Sequence, residues 1–190
     1  MARCWNPIYE ESRMISNSTG DLAMKALCTA LILVPTLAAA QRSLVVPAYH
    51  MSKPPTIDGT IDEAGEWKDV PSFGGLLDQI TGQAVQEGGT FWLGYDQKFV
   101  YFAARLEDSE PKAVQATEYR TNVSLDGNDT VTLQIDPFGH QTDINSFTMN
   151  ASGGTYLEIA GGRAAKREWL GEIQAKGRIT ENGWQVEARI

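Results

Sequence analysis

Apolar residues recur at every second position through most of the chain after residue 90. Phe91, Leu93 and Tyr95 alternate in one segment, and Val100, Phe102, Ala104 and Leu106 in the next. A period of two marks strands with one buried face, because successive side chains of a pleated strand point to opposite sides. Between these segments stands Asp96-Gln97-Lys98-Phe99. A two-residue loop at Gln97-Lys98 places both apolar sets on one face of a hairpin. Further strands read as Val131-Leu133-Ile135, Phe147-Met149, Tyr156 to Ile159, Ile173 to Ile179, and Trp184-Val186-Ala188-Ile190. The last of these carries Gln185, Glu187 and Arg189 on its polar side, and Asn182-Gly183 supplies the turn before it. No long segment outside residues 26–37 shows a helical period. The chain is therefore mainly β, and two packed antiparallel sheets are the expected solution.

The N-terminal part has a different character. Met24-Lys25 precedes an apolar stretch from Ala26 to Leu37, and Ala38-Ala39-Ala40 supplies the small residues of a signal-peptidase site. The stretch is too short to span a bilayer as a helix. We expect residues 24–40 to be a signal peptide, residues 1–23 to be an over-extended start, and residues 41–190 to be the exported portion. Both cysteines, Cys4 and Cys28, fall before Gln41. The exported portion thus holds no disulfide and relies on a hydrophobic core. The formal net charge is −8. That argues against nucleic acid, whose phosphates demand basic patches, and agrees with neutral sugars or divalent cations as partners.

Residues 54–67 read Pro-Pro-Thr-Ile-Asp-Gly-Thr-Ile-Asp-Glu-Ala-Gly-Glu-Trp. The prolines stiffen the approach and forbid helix there. Asp58-Gly59 is a turn pair, and Asp62 can cap a short turn that carries Trp67. Trp67 has two readings, a sugar platform or a plug at one end of the core; large aromatics mostly supply buried area, which favours the plug. Trp92 and Tyr101 alternate away from the main apolar face, so they form either an outer aromatic surface or the floor beneath a covering loop.

From Ser43 to Ile190 the ordered marks are Ile57-Asp58-Gly59 with Trp67, Leu93-Gly94-Tyr95-Asp96, Val100 to Asp108, Asn128 to Pro137, and Asn182 to Ile190. This arrangement resembles the family-nine carbohydrate-binding modules and their DOMON-like relatives, especially the module found ahead of an outer-membrane barrel in some bacterial surface proteins. The resemblance implies an immunoglobulin-like antiparallel β-sandwich that binds a polysaccharide or oligosaccharide without catalysis, as an accessory to carbohydrate breakdown. It also implies a periplasmic, outer-membrane-associated or secreted location. The alternative is a structural or interaction module that docks onto a barrel and has no sugar affinity. In that family the last strand usually runs on into a proline, so the chain reads as truncated at Ile190.

Sugar binding calls for aromatic faces beside polar groups. Trp169, between charged and glycine neighbours, is the leading candidate, followed by Tyr119 with Arg120, and by Phe138. Edge packing is the competing role for each aromatic. For calcium, Asp126-Gly127-Asn128-Asp129 offers clustered oxygens, which Asp108 could join; an ordinary turn with exposed acids is the alternative. No carboxylate pair is marked out for glycoside hydrolysis. Met149 with His140 is the one pair that suits haem, although a Met at an alternating position usually belongs to a core.

Overall fold

The computed structural model describes residues 46–140, 142–161 and 172–190. The expected leader, both cysteines and Trp169 lie outside these residues. Among the described residues nine strands run in chain order: β1 (Tyr49–His50), β2 (Phe73–Gly74), β3 (Gly89–Tyr95), β4 (Val100–Glu107), β5 (Thr130–Ile135), β6 (Asn145–Asn150), β7 (Thr155–Glu158), β8 (Gln174–Thr180) and β9 (Gly183–Arg189). The larger sheet has the order β1-β3-β4-β9-β8, with β2 also on β3, and the smaller has the order β5-β6-β7. The two-sheet all-β architecture is the one expected. One pairing departs from the antiparallel pattern, since β1 runs parallel to β3.

The β3–β4 hairpin forms as its alternation predicts. Tyr95 pairs with Val100, Leu93 with Phe102 and Phe91 with Ala104, so the two apolar sets share a face. Asp96 closes the loop: its Oδ1 accepts the Lys98 N–H at 2.7 Å and the Phe99 N–H at 2.8 Å. The last turn sits one residue earlier than expected. Thr180 pairs with Gly183, which makes Glu181-Asn182 the turn and Gly183 the first residue of β9. Gly183 has a φ of 142°, and a Cβ there would stand 2.0 Å from the Leu106 carbonyl oxygen. Glycine is needed at that position for close approach to β4 as well as for its backbone freedom.

Between the sheets lies the main core. Phe91, Phe102, Trp184, Val186 and Ala188 of the larger sheet pack with Phe147, Met149 and Leu157 of the smaller. Val131, Leu133 and Ile135 pack against its edge. This matches the apolar half of most alternating segments, with Tyr95 and Ile179 as exceptions that stand exposed at strand ends.

A second core occupies the other face of the larger sheet. Met51, Ile61, Trp67 and Val70 cover Trp92, Tyr101 and Ala103. Trp67 is only 1 % exposed. At about 25 cal/mol per Å², burying one indole contributes roughly 4–6 kcal/mol before entropy is counted. The polar side of β9 therefore does not face water, as its alternation would imply. Glu187 is fully buried and Gln185 nearly so. The Glu187 carboxylate accepts the Trp67 indole N–H at 2.8 Å, the Gly59 N–H at 3.0 Å and the Thr60 N–H at 3.1 Å. Gln185 Nε2 donates to the Gly59 carbonyl at 2.8 Å. Gly59, at φ 85°, takes the left-handed conformation that presents its N–H and C=O to these two side chains. Burial pushes the Glu187 carboxyl above its ordinary range, opposed by the donated hydrogen bonds. Tyr101 is likewise pushed up to about 12, by burial first and then by its hydrogen bond to Asp96. The Asp58-Gly59…Trp67 motif is thus a clasp that ties the covering segment to the last strand.

Candidate functional site

Among the described residues, the side chains that β5 turns away from the core are exposed. These are Thr130, Thr132 and Gln134, while Val131, Leu133 and Ile135 turn to the core. Cross-strand register assembles this face into rows. Thr132 lies opposite Thr148, and Thr148 opposite Tyr156. Gln134 lies opposite Ser146, and Ser146 opposite Glu158. The hydroxyls of Thr132 and Thr148 are 2.9 Å apart, and Gln134 Nε2 donates to Ser146 Oγ at 3.4 Å. Ser146 is buried in the middle of its row, Thr148 and Tyr156 are half-buried, Tyr156 is the aromatic of these rows, and Glu158 is their single charge. The face offers donors and acceptors on a rigid scaffold, with an aromatic ring among them.

One end of this face is built by the loop before β5. Asn150, fully buried, is its hub. Its Nδ2 donates to the Glu118 carbonyl at 2.7 Å and to Asn128 Oδ1 at 2.9 Å, and its Oδ1 accepts the Ser152 and Gly154 N–H groups. Asn128 Oδ1 also accepts the Thr117 N–H at 2.9 Å and the Glu118 N–H at 3.2 Å. Residues 120–123 then run beside the start of β7, where the Thr155 N–H donates to the Arg120 carbonyl and the Val123 N–H to the Thr155 carbonyl. Arg120 forms a two-pronged pair with Glu118, Nε at 2.9 Å and Nη2 at 2.6 Å. The guanidinium, with backbone N–H groups, lowers the Glu118 carboxyl to about 2. The two charges of the pair offset each other, and Tyr119 stands 76 % exposed beside it.

The opposite end is the β5–β6 loop. Asp136 Oδ1 accepts the Phe138 N–H at 3.1 Å and the Gly139 N–H at 2.8 Å, which fixes the turn. Phe138 is 68 % exposed and stacks on His140, with ring centroids 6.0 Å apart. His140 Nδ1 lies 4.0 Å from an Asp143 carboxylate oxygen.

The structure therefore separates the sugar-site residues read from the sequence. Tyr119 and Arg120 stand at one end of the small sheet and Phe138 at the other, while Trp169 lies outside the described residues. Trp67 belongs to the second core, and Trp92 and Tyr101 form the floor beneath a covering segment. Among the oxygens considered for calcium, Asn128 Oδ1 already has three N–H donors on it. Asp129 Oδ2 accepts the Gln115 N–H, and Asp108 Oδ1 accepts the Glu110 N–H at the end of β4. Asp108 is held near the β8–β9 turn by its own N–H on the Asn182 carbonyl. Asp126 donates its N–H to Ser124 Oγ. Among the described residues no three His, Cys, Asp or Glu side chains gather to hold a metal ion. Met149 is fully buried in the main core, whereas His140 is exposed on the rim.

Thr132, Gln134, Ser146, Thr148, Tyr156 and Glu158 are not among the site residues that the sequence marks out. Their signal was available as the polar half of the alternating segments, but alternation does not say which polar halves stay open.

No protein-family model matches this sequence, and no curated protein matches it. Solved structures do share the fold. One is a family 9 carbohydrate-binding module from Caldicellulosiruptor kristjanssonii in complex with cellotriose, at 21 % identity and a TM-score of 0.52, covering 76 % of this chain and 67 % of that one. The module from that organism in complex with glucose aligns at 20 % identity and the same TM-score, over 76 % of this chain and 68 % of that one. A protein from Bacteroides uniformis, proposed to bind carbohydrate, aligns at 12 % identity and a TM-score of 0.53, over 75 % of this chain and 70 % of that one.

Proposed function

We propose that this chain is a non-catalytic carbohydrate-binding module of an exported bacterial protein, accessory to carbohydrate breakdown. One observation carries the reading: the outer face of β5, β6 and β7 carries the hydroxyls of Thr132 and Thr148, the Gln134 amide, the Tyr156 ring and the Glu158 carboxylate. A sugar ring presents apolar C–H patches and a fringe of hydroxyls, so it suits a surface where an aromatic face stands among fixed donors and acceptors. The binding of cellotriose and of glucose by a module of this fold supports that choice of ligand. The acidic balance of the chain and the single negative charge of the face, Glu158, argue against anionic glycans and point to uncharged sugars. Export rests on the pattern of residues 24–40, and N-terminal sequencing of the native protein tests it: a first residue at Gln41 is expected.

Calorimetric titration with xylan, cellulose and short oligosaccharides tests the ligand class. Heat that saturates with at least one neutral glycan is expected, and about a tenfold weaker affinity in Tyr156→Ala. Silence with every glycan, from protein that melts cooperatively, would overturn the reading.

A further inference from the structure

Taking the carbohydrate-binding reading as its base, we infer that the ligand is an extended glycan chain lying along the strands of the small sheet, held at both ends by exposed aromatics. The sequence candidates Tyr119, Arg120 and Phe138 do not converge on one pocket. Tyr119 and Arg120 flank the start of β7, through the hydrogen bonds that Thr155 makes to residues 120 and 123. Phe138 follows the end of β5, in the loop that leads to β6. Between these ends lie the Thr132–Thr148–Tyr156 row and the Gln134–Ser146–Glu158 row, in which Thr132, Gln134 and Glu158 are exposed, Thr148 and Tyr156 half-buried, and Ser146 buried between its neighbours. At about 3.4 Å per residue, the six residues of β5 run about 20 Å. Three strands about 4.8 Å apart make a track roughly 10 Å wide between the outer strand axes. A single sugar ring fills a fraction of such a track; a chain of several rings fills it.

Both ends are built rather than loose. The Asp136 turn sets Phe138 and the stacked His140, and the Asn150–Asn128 hub sets the loop that carries Tyr119. Exposed rings on fixed backbones lose little conformational freedom on binding, which suits them to stacking. The neutral Glu118–Arg120 pair adds hydrogen-bonding capacity at one end without a net field.

The test is affinity against chain length on the full exported chain, with cello- and xylo-oligosaccharides of one to six units. Affinity is expected to climb about tenfold or more from the disaccharide to the hexasaccharide in the preferred series. In Phe138→Ala and in Tyr119→Ala, the hexasaccharide-to-disaccharide affinity ratio is expected to fall about threefold or more. Equal affinity for disaccharide and hexasaccharide would overturn the extended track and leave the carbohydrate reading standing. No binding at any length would overturn both. The length series on the unaltered chain decides the matter even if a variant folds poorly.

Discussion

Each sheet has a face turned away from the main core, and the two faces have opposite fates. On the larger sheet, Gln185 and Glu187 alternate with apolar residues just as Thr132 and Gln134 do on the smaller. Yet Glu187 is fully buried beneath residues 51–70, whereas Thr132 and Gln134 are exposed. Alternation identifies the side of a strand that avoids the shared core. It does not distinguish a wet face from one that a later or earlier part of the chain will cover. On the covered face the polar groups of Gln185 and Glu187 are matched, because an unpartnered buried donor or acceptor costs far more than an exposed one. The open face has no such obligation and is free to spend its polar groups on a ligand.

The largest expected effect comes from breaking the clasp on the covered face. Glu187→Ala leaves the Gly59, Thr60 and Trp67 N–H groups without their acceptor. A loss of about 3–5 kcal/mol is expected in urea unfolding, close to what many domains have to spare. Trp67→Phe removes one donor and part of the second core, and about 2 kcal/mol is expected by the same measurement.

The covered carboxylate also makes a pH signature. Its folded pKa is raised above the ordinary 4.5, so the stability it contributes is fully present below that value. That contribution is lost as pH rises through the higher folded value. Glu187→Gln cannot titrate. The stability of the unaltered chain minus that of the variant is therefore expected to be greatest near pH 4 and to shrink toward pH 7. A difference that stays flat would remove the burial argument for Glu187.

On the open face the same kind of change does almost nothing to stability. Thr132→Val is expected to shift unfolding by less than about 0.5 kcal/mol, because its hydroxyl partner Thr148 can turn to water. A loss of 2 kcal/mol there would mean that the face is covered after all. Smallest of all is the response to calcium. With Asn128 Oδ1 filled by three N–H donors, millimolar calcium is expected to leave the melting temperature of chelator-treated protein within about a degree. A rise of several degrees would show that the 126–129 turn rearranges to take the ion.

Much of the fold was legible because its determinants are local. The β3–β4 hairpin is written in two alternating runs and an Asp-capped loop, and its observed register follows from them. The β8–β9 turn was misplaced by one residue: Asn-Gly is a strong turn pair, but close approach of β4 claims the glycine for the strand. The candidate site was less legible. Tyr119, Arg120 and Phe138 share a loop-like composition, and nothing in their spacing says that a whole strand length separates them. That separation depends on the β5-β6-β7 order and on the way residues 120–123 lie beside β7.

By itself, then, the order of residues determined the strands, the apolar half of each and the turn chemistry, since these depend on neighbours a few positions away. It also determined the net negative charge and, with it, the poor match to phosphate polymers. Only the tertiary structure decided that the segment from Met51 to Val70 folds over the large sheet and makes Glu187 a clasp, and that Thr132 and Gln134 on the small sheet stay exposed. The physical reason is that burial is a property of what arrives from elsewhere in the chain. A glutamate more than a hundred residues from Gly59 becomes its partner only once β9 has joined the larger sheet and the segment from Met51 to Val70 has folded over it.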